Sequence, residues 1–255
     1  MAADRLRILQ GYMKSGRLLE VGCASVEFLA LAQGAGFDVQ GVDSSKMFVE
    51  FNRQNGIDVE HGRVEDFDFP PHKFDVIALF HLIEHVEDPV GFVQALGPLL
   101  QQDGLVFIAT PNLGSLTSRI FGRRYPGFVQ HDHLTFFVED TLSDVLRRGG
   151  FDIVNSFSKE YSHHLFSSTL GFLGDAVRAR RQLPSNTLPG DDGRPAESVA
   201  AASGMAKRTL AKAVGGLPSV LGFFLYPVLR PVGLALERTM KGHELLVIAQ
   251  PSRPK

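Results

Sequence analysis

The feature that most restricts the fold of this chain is the stretch RLLEVGCASVEFLALAQGAGFDVQGVDSS, Arg17–Ser45. An apolar run ends in glycine, apolar residues follow at helical spacing to another glycine, and a second apolar run ends in aspartate. Two buried strands joined by one helix form a parallel pair, because the crossover returns the chain to the same end of the sheet. The pattern continues in IDVEHG, FDVIALF and GLVFIATP, and FDIVNSF and HELLVIAQ read as the last two strands. Apolar runs without alternation mark strands covered on both faces. DPVGFVQALGPLLQQDG reads as a helix capped by Asp88, with Pro89 in its first turn and Gly104 closing it. EDTLSDVLRRGGF reads as an amphipathic helix. The expected architecture is an α/β fold with a seven-stranded, mostly parallel sheet and helices on both faces.

At 255 residues the chain can hold one large domain, or one domain with a sizeable insertion. Its net charge of −2 gives no support to a nucleic-acid binder that relies on bulk positive charge. The one cysteine, Cys23, excludes an internal disulfide and a multi-cysteine zinc site. MAADRLRILQGYMKSGR lacks the apolar core of a signal peptide, so a cytoplasmic location is expected.

The organisation expected is a core over 1–161, a helical insertion over 162–241 with a polar loop near 183–198, and a final strand and tail over 242–255. Ala213–Leu229 is free of charge but short for a membrane span of roughly 20 residues, and prolines and glycines interrupt it. Two readings of 213–236 stand: a buried helical cap, or a peripheral contact with the inner face of a membrane. LTSRIFGRRYPGF lies upstream, and its Arg119, Arg123 and Arg124 read either as a solvated basic loop or as partners of anionic groups.

In an open α/β sheet, ligands bind beyond the carboxyl ends of the strands where the strand order reverses. Glu20 sits inside the end of the first strand, two residues before Gly22. A carboxylate there would repel a pyrophosphate but attract an ammonium or sulfonium. Asp43, ending the second strand, is placed to accept hydrogen bonds from ribose hydroxyls. A positively charged nucleoside fits both acids better than NAD does. A dehydrogenase is disfavoured by Glu20 and by the lack of a G-x-G-x-x-G turn.

LEVGCAS, GVDSS, GRVEDFDF, FDVIALFHLIEHVEDP, GLVFIATPN and HLTFFVEDTLSDVLRRGGF, in that order over about 17–157, resemble the class I S-adenosylmethionine-dependent methyltransferases. The likeness is to the small-molecule branch that includes ubiquinone-pathway O-methyltransferases, and HELLVIAQ resembles the closing strand. The resemblance implies a Rossmann-like fold, S-adenosyl-L-methionine as cofactor and a small-molecule acceptor, with oxygen the first choice of acceptor atom. It also implies that the backbone of Gly22, Cys23 and Ala24 holds the amino-acid end of the cofactor, with Glu20 near its ammonium. Asp43 binds the ribose, Met47 packs beside the adenine or belongs to the core, and Val64 and Glu65 contact the adenine edge. Phe80 and His81 border the methionine part and face the acceptor.

Direct displacement on a sulfonium needs alignment above all, and a hydroxyl acceptor gains from a base, for which histidine suits neutral pH. The candidates are His81, His131 and His133, with His85 one helical turn on in a packing or capping role. His131 and His133 precede the EDTLSDVL helix on a segment able to fold over the site. Their H-x-H spacing has no obvious companion cysteine or acidic cluster, so no metal is expected. The chain departs from the family pattern at Ala24 and Val26, where glycine is typical. Ala24 adds one methyl group, a mild change. The β-branched Val26 costs almost nothing if its φ is negative and its side chain points into the sheet–helix seam, and about 1–3 kcal/mol if φ is positive. A relative that has lost activity and keeps a binding or scaffolding role is therefore the second reading. The insertion's apolar character points to an acceptor with a hydrophobic part, such as a lipid-linked or glycan precursor.

Overall fold

The computed structural model describes residues 1–122, 132–160, 231 and 234–253. Nearly all of them belong to one compact unit, Met1–Lys159 with Leu236–Lys255, and the second unit, Glu160–Ala235, lies almost wholly outside the described residues.

The elements run α1 (Ala2–Leu9), β1 (Gly16–Val21), α2 (Glu27–Gly34), β2 (Phe37–Asp43), α3 (Lys46–Gln54), β3 (Val59–His61) and β4 (Phe74–Phe80). They continue as α4 (Pro89–Leu96), β5 (Leu100–Pro111), α5 (Leu116–Phe121), α6 (Glu139–Arg148), β6 (Phe151–Lys159) and β7 (Glu244–Pro251). All seven strands join one sheet in the order β3-β2-β1-β4-β5-β7-β6. The first five are parallel, while β7 runs antiparallel to both β5 and β6. The fold class expected from the sequence is thus the one observed. Chain order reverses between β1 and β4, so the crevice opens beyond the ends of those two strands.

Alternate residues of each strand feed one of two cores. Leu19, Val21, Ile77, Leu79, Val106 and Ile108 face α4 and α6, whose Phe92, Leu96, Leu142 and Leu146 join them. Leu18, Val76, Ala78, Phe80 and Phe107 meet Leu6, Leu9, Phe28, Leu29 and Val49 of α1, α2 and α3 on the other face. Each such side chain, taken fully out of water, contributes about 1.5–3 kcal/mol. Gly41 in β2 is a packing requirement, since a Cβ there would lie 2.9 Å from Val59 Cγ2 and 3.0 Å from Cys23 Sγ.

One boundary differs from expectation. Asp88 does cap α4, its side chain accepting from Gly91 N at 3.0 Å, but the helix ends at Leu96 rather than at Gly104. Pro98 has no N–H to donate and cannot extend the ladder, so a 3-10 turn over Gly97–Leu99 leads straight into β5. The polar residues Gln101–Gly104 instead leave the β4 register, which passes from Phe74↔Leu100 to Val76↔Leu105. No helix among the described residues is long and apolar enough to cross a membrane.

Candidate functional site

Backbone conformation places the strain of the first turn at a residue other than Val26. Val26 has φ −63° and ψ −13°, ordinary helical values, and its side chain packs against the core. Ala24 has φ +41°, in the left-handed region, as does Gly22 at +71°. Ala24 therefore carries the conformational cost, which its single added methyl group does not foretell, and Val26 takes the negative-φ alternative that costs almost nothing. The turn is braced from two sides. Asp43 Oδ2 accepts from Ala24 N at 2.8 Å, and Asn52 Nδ2 of α3 donates to Ala24 O at 2.9 Å. Asn52 is fully buried with Oδ1 unpartnered, a role that its place in a polar helical stretch does not reveal.

Asp43 is buried, and its Oδ1 accepts from Ser45 N at 2.8 Å. It thus fastens β1's turn to β2's while ionised carboxylate oxygens retain capacity for further donors. Gly62 N donates to Asp43 O at 3.0 Å, bringing Val64 and Glu65 beside the same strand end. Val64 is buried, whereas Glu65 is bound to Arg63 at 3.1 Å. Met47 is 68% exposed, which excludes the core reading and leaves an apolar thioether bare next to the turn. The Cys23 side chain is turned into the seam toward β2, so only its backbone remains for a ligand. Burial, with Glu20 and Asp43 adding to it, pushes that thiol up.

Glu20 is buried, and Oε2 has no hydrogen-bond partner. Burial pushes its carboxyl well above the usual range, against the pull of the Arg5 charge and with a further push from Asp43. Arg5 comes from α1, a residue that the strand and turn motifs do not single out. Its guanidinium lies 4.4 Å from the centre of the Phe80 ring, and Nη2 donates to Glu244 Oε1. Arg5 Nε, like Glu20 Oε2, is buried without a partner. Phe80 itself is sealed beneath Arg5 between Phe28 and Phe107, with ring centres at 4.7 and 5.3 Å, so it supports the crevice rather than lining it.

His81 follows β4 with φ +54°. Its Nε2 lies 2.9 Å from Glu244 Oε1 and its Nδ1 3.3 Å from Glu84 Oε1. Burial alone would lower the imidazole, but these two carboxylates outweigh it and raise it to about 9. His81 is therefore an imidazolium at neutral pH, with no lone pair free to accept a proton. Glu84 is buried, and its Oε2 accepts from Thr110 Oγ1 at 2.9 Å. Burial works against its ionisation, yet the bond and charge of His81 hold it below the usual range.

Residues 132–138, before α6, dock against the turn after β4. Leu134 N and Thr135 N both donate to Glu84 O, at 2.8 and 3.1 Å, and His85 Nδ1 donates to Asp132 O at 2.9 Å. His133 packs edge-on against His85 with ring centres 4.8 Å apart, and its buried Nδ1 has no partner. Burial lowers its pKa, so His133 is neutral at neutral pH. Among the described residues, ligand atoms of Glu84, His85 and His133 lie within 4.8 Å of one another, a grouping that sequence does not make obvious. Each Glu84 oxygen in this group also accepts one hydrogen bond, from His81 and from Thr110. His131, Arg123, Arg124 and nearly all of 162–241 lie outside the described residues, while Arg119 is exposed.

The chain is similar to known proteins over much of its length. A family model described as a methyltransferase domain matches residues 1–156. The ubiquinone biosynthesis O-methyltransferase of Neisseria meningitidis serogroup C is 30% identical over 184 residues, 65% of this chain and 76% of that one. That of Cereibacter sphaeroides is 30% identical over 151 residues, 54% and 61% of the two chains. Among solved structures, a Thermotoga maritima S-adenosylmethionine-dependent methyltransferase, described as a possible histamine N-methyltransferase, has TM-score 0.59 at 15% identity, covering 98% of this chain and 89% of that one. Phosphoethanolamine N-methyltransferase 2 of Haemonchus contortus, in complex with S-adenosyl-L-methionine, has TM-score 0.60 at 16% identity, covering 98% and 53%. At these identities the structures share the fold.

Proposed function

Because this chain belongs to the methyltransferase-domain family and is a class I S-adenosylmethionine-dependent methyltransferase, we propose that the crevice at the β1–β4 reversal holds its cofactor and that the acceptor is an oxygen of a small molecule. The observation that carries the reading is the pair of buried, unpartnered polar atoms, Arg5 Nε and Glu20 Oε2. One is a donor that lacks an acceptor and the other an acceptor that lacks a donor. An amino-acid zwitterion satisfies both at once: its carboxylate for Arg5, its ammonium for Glu20. Asp43, already anchored by two amides, keeps acceptor capacity for ribose hydroxyls, and Met47 offers its exposed thioether to a base. Gly22 and Ala24 turn the backbone through left-handed conformations beside them. The residues present fit the group.

S-adenosyl-L-methionine, when bound, supplies an electrophilic methyl carbon on a sulfonium. What remains for the protein is to place the acceptor in line and to receive its proton. His133, neutral and with Nδ1 free, is the described histidine able to do so, and His131 stands two residues before it. His81 serves as a fixed cation beside His133 rather than as a base. Methylation of oxygen rests on the relatives named for ubiquinone biosynthesis. An acceptor with an apolar part, such as a lipid-linked or glycan precursor, and peripheral contact with a membrane rest on the charge-free run 213–229. Val26 is the residue that favours a binding-only relative, and its relaxed backbone withdraws that support.

The reading is tested by transfer of a radiolabelled methyl group to a panel of phenols, lipid-linked hydroxyls and amines. The proposal expects His133→Ala to lower kcat by about 10²–10⁴-fold while cofactor affinity stays unchanged. Unaltered kcat in that variant would remove His133 from the chemistry.

A further inference from the structure

We propose that Glu244 is a positioning residue that ties occupancy of the cofactor crevice to the acceptor-side imidazolium, through one carboxylate oxygen shared by Arg5 and His81. The inference rests on the reading above, in which Arg5 meets the cofactor's carboxylate and His81 stands beside the acceptor. Glu244 Oε1 accepts from Arg5 Nη2 and from His81 Nε2. These three residues come from α1, the end of β4 and the start of β7, so the shared oxygen joins elements far apart in sequence.

The strand start that carries Glu244 is fixed in place. Asn112 N donates to His243 O at 2.9 Å, and Asn112 Nδ2 donates to Met240 O and Gly242 O at 3.0 and 2.8 Å. Gly242 N donates to Ser158 Oγ at 3.0 Å, and a Cβ on Gly242 would lie 2.7 Å from the Lys159 carbonyl. Glu244 is fully buried, with a carboxyl that burial would raise and that His81 and Arg5 bring down to about 2. A rigid, ionised, water-excluded carboxylate responds to charge at Arg5 far more than an exposed one would.

The direction of the coupling follows from charge. Arg5 neutralises Glu244 most fully when no other anion faces the guanidinium. Once an anion takes the free Nε–H, the attraction of Arg5 is divided, and Glu244 acts more strongly on His81. Loading therefore tightens the His81–Glu244 bond and raises the proton affinity of His81. The other groups facing His81 are Glu84 from the turn after β4 and His133, which packs on His85; Thr110 of β5 holds Glu84 in turn. By reciprocity, loss of the His81 proton weakens cofactor binding by the same factor.

S-adenosylhomocysteine isolates the effect, since it keeps the carboxylate and ammonium and lacks the sulfonium charge. In nitrogen-15 histidine spectra of the whole protein, with the His81 signal assigned by its loss in His81→Gln, saturation should raise the His81 proton affinity at least about fivefold, the low end of coupling between sites. The His72 signal, at the opposite end of the sheet, should not move. Glu244→Gln should abolish the response and raise the cofactor KM, and Glu244→Asp should restore part of it. Binding seen by calorimetry with an unmoved His81 signal in the wild type overturns the inference and leaves the cofactor reading intact. Absence of S-adenosylhomocysteine binding overturns the cofactor reading itself. Should Glu244→Gln fail to fold, the wild-type spectra still decide.

Discussion

Nε2 of His81 lies 2.9 Å from Oε1 of Glu244, a residue 163 positions further along the chain. That contact converts the histidine best placed by sequence to act as a base into a cation. It sets a dependence of stability on pH. The His81 pKa is raised from 6.5 to about 9, so the stabilisation is complete below the unfolded value and lost as pH rises through about 9. With the His81 side chain 36% exposed, solvent screening leaves roughly 1 kcal/mol. Urea unfolding between pH 6.5 and 10 should show this decline in the wild type and not in His81→Gln. Parallel pH profiles in the two proteins would contradict it.

Asp43 joins the turns after β1 and β2 by accepting from Ala24 N and Ser45 N. Asp43→Ala leaves both amides without their acceptor, and should cost about 1–3 kcal/mol of stability as well as weakening the cofactor by a similar amount. Asp43→Asn keeps one amide acceptor and should fall between the two. Thermal unfolding and calorimetry on the same samples separate the effects. An Asp43→Ala protein of normal stability would show that the turn stands without this brace.

The two departures from glycine respond differently to restoration. At Ala24 the left-handed φ costs about 1–2 kcal/mol, and the entropy of glycine returns about 0.5–1 of it, so Ala24→Gly should stabilise by up to about 1 kcal/mol. Val26→Gly has no strain to relieve and removes a packed side chain at the start of α2, so it should destabilise. Denaturant midpoints for the two variants check the signs, and a gain from Val26→Gly would show strain that the backbone does not display.

What sequence revealed divides along a physical line. Strands read correctly wherever the residues that define them are neighbours: β2 and β4 begin and end as FDVQGVD and FDVIALF do. The buried places of Asp43 and Glu20 were legible because both stand near the ends of strands that read as covered on both faces. Arg5, Asn52 and Glu244 were not, since each acts across long separations on groups that only folding brings near. The His81 protonation state was hidden for the same reason: one of its two carboxylates arrives with β7. At Val26 the cost hangs on the sign of φ, which no residue type dictates alone, and the left-handed φ of Ala24 leaves no mark in the residue type either.

The central claim is that Arg5 and Glu20 are held buried and incomplete for an amino-acid zwitterion. Since burial holds Glu20 toward its protonated form, a ligand ammonium should draw off that proton, and affinity should rise with pH until the raised carboxyl has itself ionised. Titration calorimetry of S-adenosyl-L-methionine, repeated in buffers of different ionisation enthalpy and with Glu20→Gln, tests this most directly. The account predicts saturable binding with proton release in the wild type, and in Glu20→Gln at least about tenfold weaker binding, equal to 1.4 kcal/mol, without proton release. Equal affinity in both proteins, or no heat in the wild type at about 1 mM ligand, would contradict it.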